Sequence, residues 1–131
     1  MALDFFSKNN LKKELSTVQS NLGYTFFCDY NYPSAVRYYL QALAISDKLK
    51  DEENISMVLT NIAVIYRILK NYDHALEYYN KAKKIIEKTN NLTSKSIILN
   101  NIANIYLLRK DYDNALNIFN QTLEIKKKIN N

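Results

Sequence analysis

Apolar residues recur at three- and four-residue steps through paired stretches of this chain. Val58, Leu59, Ile62, Ile65, Tyr66 and Leu69 are followed after a short polar gap by Ala75, Leu76, Tyr79, Ala82, Ile85 and Ile86. That periodicity places one apolar face on each of two successive helices. The same phrase returns every 40 residues: Asn21-Leu22-Gly23, Asn61-Ile62-Ala63 and Asn101-Ile102-Ala103 each lead to an aromatic at Phe26, Tyr66 or Tyr106. A loop tyrosine (Tyr32, Tyr72, Tyr112), a small residue (Ala35, Ala75, Ala115) and a second aromatic (Tyr39, Tyr79, Phe119) complete the unit. Residues 61–90 and 101–130 are identical at about half their positions, and 21–50 and 61–90 at about a third, far above chance. The pattern predicts an all-α array of antiparallel helix pairs, with first helices near 12–29, 52–69 and 92–109 and second helices near 32–49, 72–89 and 112–129.

Punctuation between these stretches agrees with helices. Asp51 and Asn91 are placed to N-cap first helices, and Asn31, Asn71 and Asp111 second helices, by accepting from an otherwise unpaired N–H. Pro33 falls in a first helical turn, where a missing donor costs nothing. One glycine and one proline in 131 residues leave few other turn formers.

These residues resemble the tetratricopeptide repeat. Its signature of a large apolar residue, Leu-Gly, Tyr, then Ala, Phe and Ala on the partner helix is matched by Leu59, Ile62, Ala63, Tyr66, Ala75, Tyr79 and Ala82. It is matched again by Leu99, Ile102, Ala103, Tyr106, Ala115 and Phe119, with Thr122 in place of the last Ala. Gln19 stands where the family has an opening Trp in the first repeat, and Asp47, Glu87 and Lys127 replace the usual closing Pro. The 40-residue period exceeds the usual 34 and is similar to the long repeats of kinesin light chains, spindle-orientation adaptors and bacterial peptide-sensing regulators. The resemblance implies a right-handed α-solenoid. Residues 1–11 would be the end of a preceding second helix, 12–50, 51–90 and 91–131 three repeats, and the whole a piece of a longer array.

Charge adds a net +5, which raises the question of nucleic acid. The lysines concentrate near the ends of second helices (Lys48 and Lys50, Lys84 and Lys88, Lys126 to Lys128), where cations complement the helix dipole, and no aromatics interleave with base-reading side chains. Specific nucleic-acid recognition is not expected. Neither is a membrane span, since no apolar run approaches the ~18 residues required. The lone Cys28 excludes an intrachain disulfide, and the chain reads as cytoplasmic, or extracytoplasmic if it belongs to a larger sensor.

An enzyme has little to stand on: His74 is the only histidine and Cys28 the only cysteine, far apart in sequence, and one glycine cannot build a phosphate loop. Gly23 reads as a close helix contact. No cofactor or metal is expected. Tyr39, Tyr66, Tyr72, Tyr79, Tyr106 and Tyr112 read as core or loop buttresses, and Tyr38 and Tyr78 as outward-facing.

The candidate site lies on the first helices. Asn21, Tyr24 and Cys28, then Asn61, Val64 and Ile68, then Asn101, Asn104 and Leu108 each form one stripe. In a tetratricopeptide-like array this face lines the concave groove, and the long-repeat families use such asparagines for peptides. An Asn amide offers both donor and acceptor, matching an extended peptide backbone; the alternative is that the asparagines bond between neighbouring helices. Lysine and arginine are absent at the places, here Ser20, Ile97 and Asn101, where chaperone-tail-binding repeats clamp two carboxylates. The expected function is therefore protein or peptide binding at Asn21, Tyr24, Asn61, Val64, Ile68, Asn101, Asn104 and Leu108. A sensory region of a larger kinase or transcription regulator and a helical-repeat RNA binder are the competing readings. End-to-end self-association through Phe5, Phe6, Leu116, Phe119 and Leu123 is also expected, because the two ends of a repeat array resemble the surfaces their neighbours bury.

Overall fold

The computed structural model describes residues 2–130, with side chains from residue 7 onward. Six helices follow in order: α1 (Ala2–Cys28), α2 (Tyr32–Leu49), α3 (Glu52–Ile68), α4 (Tyr72–Ile86), α5 (Leu92–Leu108) and α6 (Tyr112–Ile129). The described residues contain no strand. Each helix packs on the next, and α1 with α2, α3 with α4, and α5 with α6 make the most extensive pairings. The result is an all-α helical-repeat solenoid.

One turn is used three times within the pairs. At the first, Tyr30 adopts a left-handed backbone (φ 61°), and the Asn31 N–H donates to the Phe26 carbonyl at 2.9 Å, six residues closing one ring at the helix end. The Asn31 side chain then accepts from the Ser34 N–H and starts α2. Asn71 and Asp111 repeat both roles, bonding back to Tyr66 and Tyr106 and accepting from His74 and Asn114. Asp51 and Asn91 cap α3 and α5 as their residue type predicts. Every left-handed position is occupied by a bulky residue: Tyr30, Lys50, Lys70 and Lys110.

The core forms two adjoining clusters that share α3. Val58, Ile62 and Ile65 join Ala35, Tyr39 and Ala42 of α2, while Ile55, Leu59 and Ala63 join Ala75, Tyr79 and Ala82 of α4 and Ile98, Ile102 and Ile105 of α5. Small residues set the helix spacing. A Cβ added to Gly23 would stand 2.8 Å from the Tyr39 ring, so the close contact read from the sequence is real. Polar groups reinforce it: Ser16 donates to the Ala42 carbonyl and bonds to Ser46 at 2.8 Å, and the Asn54 amide donates to both hydroxyls, tying α1, α2 and α3 together. Ser56 donates likewise to the Ala82 carbonyl. An ion pair between Arg109, just past α5, and Asp73, at the start of α4, spans two repeats and holds the Asp73 carboxyl below its ordinary pKa, chiefly through the hydrogen bond.

Several sequence expectations are corrected. No break separates residues 2–11 from the first helix, so the leading segment is the opening of α1 and not the end of a separate helix. Leu11 stands where Asp51 and Asn91 cap, and an aliphatic side chain has no acceptor with which to start a new helix there. α4 stops at Ile86 instead of 89, because the Thr89 hydroxyl donates to the Ile86 carbonyl and accepts from the Asn91 N–H. Lys88 therefore lies beyond the helix, and Lys50 is a left-handed C-cap. Leu69 and Tyr112 are 54% and 63% exposed and belong to no core. Tyr38 and Tyr78 are half-buried: they stack on Phe26 and Tyr66 with ring centroids 5.3 and 5.5 Å apart. The Phe5 and Phe6 side chains lie outside the described residues. No described helix is long and apolar enough to cross a membrane.

Candidate functional site

Helical spacing and the stacking of repeats together bring the predicted residues onto one face. Tyr24 of α1 meets Asn61 and Val64 of α3 around a recess of about 80 Å³ that Phe27 and Tyr39 complete. This recess crosses the boundary between the first two repeats. Its walls are aromatic or aliphatic, and the Asn61 amide is the polar group at its edge. Burial pushes the Tyr39 phenol up to about 12, with Cys28 and Tyr24 adding smaller repulsions.

Asn61 also borders a second groove. Between α3 and α5 a depression of about 250 Å³ is lined by Glu53, Met57, Thr60 and Asn61 on one side and Ser94 and Ile97 on the other. Met57 and Ile97 are 51% and 55% exposed, one turn before Asn61 and Asn101 on the same stripes. Sequence reasoning missed both as site residues, although a step of four back from each asparagine would have found them.

Further along the stripes, Asn101 and Asn104 are half-buried, and Ile68 and Leu108 are 39% and 52% exposed. Asn21 and Cys28 are exposed on α1. Residues of α5 share no recess with those of α1, so the predicted set is a track along the array and not a single pocket. The Thr25 hydroxyl donates to the Asn21 backbone carbonyl and the Thr60 hydroxyl to that of Ser56, and no hydrogen bond from the side-chain amides of Asn21, Asn61, Asn101 or Asn104 is formed among the described residues.

His74 is exposed, hydrogen-bonded to the Asn71 side chain at 2.9 Å and stacked on Tyr66. No group of three or more His, Cys, Asp or Glu side chains with metal-binding geometry occurs among the described residues.

Two overlapping stretches, residues 14–88 and 54–128, match the tetratricopeptide repeat family model. The chain belongs to the tetratricopeptide repeat family. No curated protein sequence gives a significant match. Among solved structures, BtubC (BKLC) from P. vanneervenii superposes over 98% of this chain with a TM-score of 0.83 and 22% identity. Aspartyl phosphate phosphatase F from Bacillus subtilis does so over 92% with a TM-score of 0.87 and 19% identity. The chain spans 54% of the first and 31% of the second. The second tetratricopeptide domain of Spaghetti (RPAP3), solved with the HSP90 peptide SRMEEVD, covers 95% of this chain and is itself covered to 98%, at a TM-score of 0.70 and 14% identity. At these identities the likeness is one of fold.

Proposed function

We propose that this chain is a non-catalytic protein-interaction module that holds an extended peptide or partner segment along its first-helix face. The observation that carries the reading is the junction of Tyr24, Asn61 and Val64 at one apolar recess, with an unpaired amide at its edge. The amides of Asn21, Asn61, Asn101 and Asn104 donate to and accept from the peptide backbone, while Tyr24, Val64, Ile68 and Leu108 take apolar side chains. A fold neighbour solved bound to a peptide supports this use of the architecture. Recognition by a double-carboxylate clamp does not suit Ser20, Ile97 and Asn101, so the ligand is gripped by its main chain and apolar groups. The module also associates end to end through the exposed apolar faces of α1 and α6.

Peptides selected on the 131-residue chain from a random phage-displayed library provide the test. Asn61→Ala and Asn101→Ala should each weaken such a peptide by about 1 kcal/mol, roughly fivefold, through a lost backbone hydrogen bond. The thermal midpoint should stay nearly unchanged. Equal losses of stability and affinity would assign these asparagines to the fold instead.

A further inference from the structure

On the opposite side of the array the C-terminal halves of α2 and α4 flank a groove of about 490 Å³. Leu40, Leu43 and Ala44 of α2 form one wall, Ile85 of α4 the other, and Ile55 and Leu59 of α3 the floor. The size is that of a ligand site. Leu40 is 43% exposed.

Ile55 and Leu59 belong to the core and Leu43 packs on it, but repeat symmetry shows that part of this lining is not dictated by the repeat. One repeat further on, the places of Leu40, Leu43, Ala44 and Ile55 are taken by Asn80, Lys83, Lys84 and Lys95. The same backbone arrangement therefore tolerates a polar groove, and the apolar one is peculiar to the first pair of second helices. Its rim is equally distinctive. Lys81 and Lys84 stand one turn apart on the α4 wall and Lys88 just beyond the helix end, against the single carboxylate of Asp47 on the α2 wall. Lys81 is shared with Glu77 at 3.4 Å and lies over the Tyr78 ring, whereas Lys84 and Lys88 have no ion-pair partner among the described residues.

We infer that this groove is a second docking surface, one that takes an amphipathic acidic helix from a partner protein. Apolar side chains of such a helix enter between Leu40, Leu43, Leu59 and Ile85. Carboxylates on its flank meet Lys84 and Lys88. Eight residues from Leu40 to Asp47 give a wall of roughly 10 to 12 Å, so about two turns of the partner are engaged. With Lys81 shared with Glu77, the unpaired Lys84 and Lys88 against Asp47 select an acidic partner and make its capture sensitive to salt.

A synthetic helical peptide carrying Leu at positions one, four, eight and eleven with Glu on both flanks is a suitable probe, beside its counterpart with Lys for every Glu. Amide-resolved NMR titration of the full chain at low salt should show the Glu peptide shifting residues of α2 and α4 around the groove, at least tenfold more tightly than the Lys peptide. Raising the salt should weaken it. Leu40→Asn, which copies the polar repeat at an exposed position, and Lys84→Glu should each weaken binding at least fivefold at an unchanged melting temperature, while Asn61→Ala should have no effect. Absence of shifts at millimolar peptide, equal binding of the two peptides, indifference to both groove substitutions, or shifts confined to the first-helix face would overturn the inference. So would capture by vesicles containing phosphatidylserine with no response to either peptide.

Discussion

Tyr79 and Phe119 occupy the same place in successive repeats, and the difference between them is one hydroxyl. In Tyr79 that oxygen is buried and no hydrogen bond with good geometry reaches it; burial raises its pKa, offset in part by the nearby Arg67 guanidinium. Tyr79→Phe should therefore be neutral or stabilising, because an unpaired buried hydroxyl is removed while the ring stays. Tyr79→Ala should cost about 3 to 5 kcal/mol by leaving a cavity. Thermal unfolding of the pair separates ring packing from the hydroxyl. Tyr39 supplies a pH signature from the same physics. Its phenol titrates near 12 in the folded chain and about 10 when unfolded, so between those values the unfolded state loses its proton first. Stability contributed by the neutral phenol is complete below pH 10 and lost as pH rises toward 12. Denaturant midpoints of Tyr39→Phe should consequently fall less steeply across that window than those of the parent chain; parallel curves would rule the ring out as the source.

At the scale of elements, the turns hold unused stability. Lys70 takes a left-handed conformation that a side chain disfavours by about 1 to 2 kcal/mol, while glycine adds up to about 1 kcal/mol of unfolded-state entropy. Lys70→Gly should therefore raise the melting temperature by a few degrees, and Asn71→Ala beside it should cost about 1 kcal/mol of stability through lost capping. A calorimetric series on these two neighbours would test whether backbone strain and capping are as separable as the geometry implies. Helix starts were legible because Asn31, Asp51, Asn71, Asn91 and Asp111 act through their own side chains, within three residues. The ends were less so. The stop of α4 depends on how the Thr89 hydroxyl folds back, and the continuity of α1 depends on what Leu11 lacks. Ser16, Ser56 and Ser96 recur at the repeat interval and are all buried, yet serine carries no apolar signal and only the structure reveals Ser16 and Ser56 reaching carbonyls of the partner helix. The asparagine stripes were expected from helical spacing, and their inward face from the family resemblance; the α2–α4 groove was not expected, since Leu40 looks like core until its exposure is known.

Across the whole molecule the repeat also explains where apolar surface is left bare. Leu15, Val18 and Leu22 of α1 are 48%, 51% and 37% exposed, whereas their counterparts Ile55, Val58 and Ile62 in α3 are buried. Leu116 of α6 is 62% exposed, while its counterpart Leu76 in α4 packs against the core. Leu123 adds a further exposed leucine at 52%, and Phe119 is only partly covered. The face of α1 thus has the shape that α3 presents to α2, and the face of α6 resembles the one that α4 presents to α5. Such surfaces are complementary to each other and cannot close within one chain. Head-to-tail contact between copies would bury both, and because the two faces differ the association continues instead of closing as a symmetric dimer. Light scattering across a concentration series should show mass rising steadily with concentration. Val18→Glu, placed on an exposed stripe that carries no core contact within the chain, should hold the chain monomeric with little change in its melting temperature, and so should Leu116→Glu at the other end. Mixing the two variants should give a defined dimer, since each retains one intact and opposite face. A monomer at millimolar concentration in the parent chain, or a mixture of variants that stays monomeric, would show that these faces do not pair.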